Sequence, residues 1–209
     1  MKKVFVILLS FLAFSSAFAS YTAVKYSTTE LEAANSLATR GIINNNKDNP
    51  EKYNLKDFVL RQEIAAVSRG VAGLPKKSFC EGIFSDVSAV KPNTWACLSI
   101  EPLVDKGLIT KNTEFRPEHN ITKAETLGML IRSIGFDYSF DPKNTKSWQE
   151  QIVDYAFAKG VIKEKFSDYD TYATRGWVFM IADTTIKKDE EIKIKEKIEK
   201  GIYSDVILY

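Results

Sequence analysis

Apolar positions fall at helical spacing along most of this chain, and the same kind of stretch comes back three times. The first helix is predicted from Thr28 or Thr29 to about Arg40. Glu30 and Glu32 sit in its first turn, and Gly41 stops it ahead of Ile42 and Ile43. Asn44 to Lys52 is too rich in Asn, Asp and Pro for regular structure. A second helix starts near Val59, carries Ile64, Val67 and Val71 at core spacing, and is expected to break over Gly70 to Lys77. A third runs from about Thr94 to Lys106 and stops at Gly107, before Leu108 and Ile109; Pro102 inside it predicts a kink or a later start. After a loop holding Phe115-Arg116-Pro117, a fourth helix opens at Thr122 and ends by Gly135. Trp148 to Lys159 forms the fifth, with Ile152, Tyr155 and Ala156 on one face and Gly160-Val161-Ile162 behind it. Thr174-Arg175-Gly176-Trp177 opens the last, whose Val178, Ile181 and Ala182 point inward. Lys187 to Lys200 then reads as a solvated charged helix with a narrow stripe of Ile192, Ile194 and Ile198. Ile202 to Tyr209 is expected to be a strand or a docking segment.

The three stretches share two marks. One is a helix ending in Gly plus two aliphatics, at Gly41, Gly107 and Gly160. The other is a following helix with a basic residue just inside its start: Arg61, Lys123 and Arg175. Trp95 stands twelve residues before Gly107, and Trp148 twelve before Gly160; Thr29 takes that place in the first unit. Two short helices cannot bury a core alone, so the units are expected to stack on one another.

The ends and the charge refine this picture. Lys2 and Lys3, the apolar run Val4 to Phe14, and Ala17-Phe18-Ala19 have the form of a cleaved export signal over residues 1–19, the run being short for a membrane anchor. Cleavage would take the formal charge from +2 to zero, which argues against nucleic acid or an anionic membrane as a bulk partner and leaves no transmembrane segment. In an exported chain Cys80 and Cys97 are expected to pair, pinning the Phe84-Ser85-Asp86-Val87 turn to the helix after it.

At the middle unit the chain resembles an S-layer homology repeat. Phe84-Ser85-Asp86-Val87, Trp95-Ala96, Gly107-Leu108-Ile109, Phe115-Arg116-Pro117 and Ile121-Thr122-Lys123-Ala124-Glu125 fall in that family's order and spacing. The first unit keeps Gly41-Ile42-Ile43 and Leu60-Arg61-Gln62-Glu63; the third keeps Trp148, Gly160-Val161-Ile162 and Thr174-Arg175, with Trp177 where the family usually has Glu. The division implied is a degenerate repeat over 20–83, a well-preserved one over 84–135, a third over 136–187, and a charged tail over 188–209. The resemblance implies a mostly α fold: three helix-loop-helix repeats with pseudo-threefold symmetry around a central helical bundle. It also implies grooves between repeats that bind anionic, in many relatives pyruvylated, cell-wall glycan and hold the protein at the cell surface without covalent attachment, and no cofactor is expected.

The residues fit this division of labour. Thr122 and Glu125 have the spacing of a capping box, and Glu63 stands at the matching place of the first unit. Arg61, Lys123 and Arg175 oppose the helix dipole, as expected of cations kept for an anionic ligand that also meets free N–H groups at the helix starts. Trp95 and Trp148 are expected either to stack on a sugar or to fill space between helices. Asp86 is expected to order its own turn. Gly107 and Gly160 suit helix ends and also allow a sugar to approach. With a single histidine, His119, and no phosphate loop, nucleophile motif or metal-spaced set, the sequence offers no catalytic or metal site. The alternative is an assembly scaffold of a surface layer, whose tail recruits other surface-layer proteins.

Overall fold

The computed structural model describes residues 28–88 and 94–200; the leader at 1–19, the lead Ser20 to Ser27 and the segment Ile202 to Tyr209 lie outside them. Among the described residues there are six α-helices, a short 3-10 turn at Pro50–Tyr53, and no sheet. The helices are α1 (Thr28–Thr39), α2 (Arg61–Val71), α3 (Thr94–Asp105), α4 (Lys123–Ser133), α5 (Trp148–Ala158) and α6 (Arg175–Glu199). No helix among these residues is long and apolar enough to cross a membrane.

Local chemistry sets the ends. Thr122, Ser147 and Thr174 cap α4, α5 and α6, each hydroxyl accepting the N–H three residues on. Gly41, Gly107 and Gly160 stop α1, α3 and α5 in the left-handed region, at φ of 70°, 68° and 70°. In each case the next N–H reaches back five residues: Ile42 to Leu37, Leu108 to Leu103, and Val161 to Ala156. This closes the last turn and tucks the following aliphatic under the helix.

The helix pairing is less local. The second helices of the units, α2, α4 and α6, all touch one another. Outside them, α3 lies on α2, α5 on α4, and α1 on α6. Each unit's first helix therefore packs on the second helix of the preceding unit, and α1 closes the circle on α6. The buried Leu37, Ile64, Ile100, Leu103, Leu127, Leu130, Ile131, Ile152 and Val178 fill the space between them. A backbone collar ties the starts of the three inner helices. Val59 N–H donates to Ala173 O at 3.1 Å, Ala173 N–H to Ile121 O at 2.9 Å, and Ile121 N–H to Val59 O at 2.9 Å. All three side chains are buried, so these bonds are closed off from water.

Three expectations about helix limits need correcting. α2 does not break at Gly70 but runs through it to Val71. Gly70 is there for packing: a Cβ would stand 2.8 Å from Ile42 Cγ2 and 3.3 Å from its Cβ. Gly70→Ala is expected to lower stability by about 1–3 kcal/mol in a denaturant titration, although alanine is the better helix former. A neutral or stabilising result would mean that Ile42 is free to move aside. Pro102 neither ends nor delays α3, which starts at Thr94. The carbonyl that Pro102 cannot serve, Leu98 O, accepts the N–H of Lys77 at 3.1 Å, so the loop repairs the gap. The boundary expected between residues 187 and 188 falls inside α6, which continues unbroken to Glu199. Its distal half holds its turns with ion pairs at helical spacing, Lys187 to Asp183, Lys188 to Glu191, and Lys193 to Asp189.

Candidate functional site

The middle unit is held by two clasps. Asp86, expected from sequence to order its own turn, reaches well beyond it. Its carboxylate accepts the N–H groups of Phe115 at 2.8 Å and Arg116 at 2.6 Å, fixing the Phe84 turn to the Phe115 loop across the unit. Phe84 and Phe115 pack alongside with their rings tilted at 58° and ring centres 5.4 Å apart. Arg116 is left in the left-handed region at φ 60°, which swings its side chain into solvent. The second clasp is the Cys80–Cys97 disulfide, with Cα atoms 5.7 Å apart. Beside it lies Glu101, 1% exposed, whose carboxylate accepts the successive N–H groups of Glu81, Gly82 and Ile83. Lys77 stands 3.6 Å from the same carboxylate, 2.7 Å from Glu81 and 3.0 Å from Asp105. Hydrogen bonding to Glu81 leads the causes that raise the Lys77 ammonium above its usual range.

At the helix starts one scheme recurs. Glu125 caps Thr122 N–H with one oxygen, at 3.0 Å, and takes Arg61 Nη1 on the other, at 2.7 Å. Glu63 caps Leu60 N–H at 2.9 Å and takes Arg175 Nη2 at 2.6 Å. The third cation, Lys123, lies over the ring of Trp177, 5.6 Å from its centre. Each basic residue thus reaches the third helical residue of the next inner helix. Burial pulls the Arg61 guanidinium below its usual value, and Glu125 opposes that pull.

These contacts narrow one expectation. Most of the helix-start N–H donors are already taken. The first N–H of α2, α4 and α6 donates to His119 O, Thr171 O and Asp57 O, at 2.9, 2.9 and 2.8 Å. The second N–H of α2 and α6 donates to Pro117 O and Leu55 O, and the cap groups take the third. At the starts of α2 and α6 an anion would have to meet side chains.

The two tryptophans are not core. Trp95 is 43% exposed and Trp148 38%, although both open helices that are buried further along. Trp148 stands between two adjoining hollows of about 180 and 250 Å³, and Arg61 and Glu125 line both. Arg132, Glu114 and Met129 complete the first; Arg116, Tyr169 and Tyr172 face the second. A wider depression of about 1160 Å³ lies on the far side of the Phe115 loop but includes neither Trp148 nor Arg61. Gly107 and Gly160 line neither of the Trp148 hollows, and their left-handed φ accounts for them. His119 lies at the rim, its carbonyl serving α2 and its side chain exposed.

The exposed indole, a guanidinium fixed by a carbonyl and a carboxylate, and a second guanidinium in solvent make a surface suited to a ring with polar edges. Arg116, Arg132, Tyr169 and Tyr172 escaped the sequence reading. One signal was present for Arg116: it stands seven residues before Lys123, as Asp168 stands before Arg175 and Asn54 before Arg61.

Residues 83–127, from the Phe84 turn through the capping box of α4, match the S-layer homology domain. Over 164 residues the chain is 23% identical to the middle cell wall protein of Brevibacillus brevis, which covers 75% of this chain and 15% of that relative. The chain thus spans a small part of the relative's length. Its middle unit has the clasped turn, the opening Trp, the left-handed Gly stop and the capping box in one packed piece, and the chain carries an S-layer homology domain.

Proposed function

We propose that the chain is an envelope anchor. Its leader at 1–19 is removed on export, and the mature chain holds to the cell wall by binding anionic glycan between its repeats. It sits at the cell surface, as the S-layer homology domain and the cell-wall relative indicate. The three units are read as pseudo-threefold repeats around α2, α4 and α6, a reading supported by the collar of three matching hydrogen bonds. The role is non-covalent retention, with no chemical step and no cofactor. In the main groove Trp148 stacks on a sugar face, while Arg61 and Arg116 meet its carboxylate. Arg175 and Trp95 hold the corresponding places beside α2 and α3. The observation that carries this is the half-exposed Trp148, set directly against the Arg61–Glu125 pair.

The test is co-sedimentation of the mature chain with purified sacculi, before and after extraction of the non-peptidoglycan polymer. Trp148→Ala is expected to raise the sacculus concentration for half-binding about tenfold, the equivalent of about 1.4 kcal/mol. Binding that survives extraction would move the ligand to peptidoglycan. Unchanged binding by the variant would remove Trp148 from the site.

A second reading, a scaffold that recruits a partner through its tail, rests on the distal half of α6. There Ile192, Ile194 and Ile198 stay exposed on a helix otherwise made of Lys, Glu and Asp. Loss of surface retention on deleting 187–209, with wall binding kept, would favour it.

A further inference from the structure

The three contacts between neighbouring inner helices follow one scheme, but their residues differ, and one contact stands apart. Arg61 meets Glu125 and Arg175 meets Glu63, whereas Lys123 meets Trp177. Trp148 and Trp95 open the outer helices beside the first two; Thr29 holds that place in α1, beside the third. The loop position that is Arg116 at the Trp148 groove is Asp168 at the third contact. Asp168 is kept below the usual carboxylate range mainly by the Thr171 hydroxyl, with Lys123 adding to the effect. A second acid stands there too. The Glu30 carboxylate is folded against the start of α6, where a Cβ on Gly176 would be 2.7 Å from its Cδ. Its side chain is 15% exposed and pairs with Lys56 at 2.9 Å. The third contact therefore has the Lys123 ammonium already laid over a ring, the Lys56 ammonium already paired with Glu30, and two carboxylates around them. It has no opening indole.

We infer that this third contact is closed to anionic glycan by the chain's own Glu30 carboxylate, so that wall polymer has at most two seats on the chain. The inference rests on the glycan reading above. An incoming sugar carboxylate would face Glu30 and Asp168 at short range, and such like-charge contacts disfavour binding. Trp177 is also turned inward, edge-on to Phe166 at 6.5 Å between centres, and presents its face to Lys123 instead of to a sugar.

The three tryptophans report on the three contacts one by one. The mature chain would be labelled with 5-fluorotryptophan, its three fluorine resonances assigned by single Trp→Phe variants, and titrated with the polymer extracted from purified sacculi. The Trp148 signal is expected to shift and saturate while the Trp177 signal stays still. A Trp177 shift that saturates alongside that of Trp148 would overturn the inference. If the Trp148 and Trp95 signals both stay still, the groove reading fails and the inference falls with it. Glu30→Ala adds a sharper arm. Trp177 is expected to begin responding in that variant, at higher polymer concentration than Trp148, while the free-state Trp95 and Trp148 resonances keep their positions and report an intact fold. A Trp177 signal that remains silent there overturns Glu30 as the closing group.

Discussion

Glu101→Ala is expected to lower the free energy of unfolding by about 3–5 kcal/mol, the cost of breaking a buried, hydrogen-bonded charge network from one side. The substitution leaves the N–H groups of Glu81, Gly82 and Ile83 aimed at an empty space, and leaves Lys77 without one of its three acids. A water is a poor substitute in a site that is 1% exposed. The Cys80–Cys97 bridge still limits the unfolded chain, so the loss belongs to the nest alone. Reducing the bridge in the native chain is a separate perturbation, expected to cost about 3 kcal/mol for a loop of this length. Glu101→Gln fills the space but turns two N–H donors toward a site made of donors, and should fall between the native chain and Glu101→Ala. Urea titrations of the oxidised variants decide the matter. A loss below about 1 kcal/mol for Glu101→Ala would falsify the view that this carboxylate holds the 77–83 loop.

Arg61→Ala is expected to act on both binding and stability. Arg61 Nε donates to Phe115 O at 2.8 Å and Nη1 to Glu125, so its removal loosens the Phe115 loop from α2. A stability loss of about 1.5–3 kcal/mol follows from hydrogen bonds made by a charged group. Wall binding should weaken at least thirtyfold, because a desolvated cation facing an anionic ligand contributes about 2 kcal/mol or more. Arg61→Lys separates the two effects. It keeps the charge but cannot span Phe115 O and Glu125 with one planar fork, so it should recover more binding than stability. Wild-type sedimentation with sacculi by Arg61→Ala would take this arginine out of the ligand site and leave it a purely structural cation.

Helix starts and stops were legible in the sequence because their chemistry is local. The Thr122–Glu125 box spans three residues, and Gly41, Gly107 and Gly160 act within one turn. The partners of the basic residues were not legible. Arg61 meets Glu125 across 64 positions and Arg175 meets Glu63 across 112, and these distances follow from how the units close on one another. That closure also hid the fate of the first N–H of each inner helix, which donates to a loop carbonyl of another unit. The long reach of Asp86 was hidden for the same reason: an aspartate in a turn usually serves that turn, yet its carboxylate also holds residues 29 and 30 positions away. Gly70 and Pro102 looked like helix breakers because propensity is a weak prior. Ile42 needs the one to lack a Cβ, and Lys77 N–H satisfies the carbonyl freed by the other.

The pairing of α1 with α6 bears on how the chain reaches its folded state. The two helices lie side by side in the same direction: Glu30 is at Gly176, Ser36 donates to Asp183 at 2.6 Å, and Arg40 pairs with Glu190 at 2.8 Å. α1 therefore has to wait for α6, some 147 residues on, before its apolar face is covered. Contacts so distant along the chain slow the search for the native arrangement, because a long loop must close before any burial rewards it. Until then Leu37 and its neighbours are exposed to other chains, the circumstance in which partly made proteins aggregate.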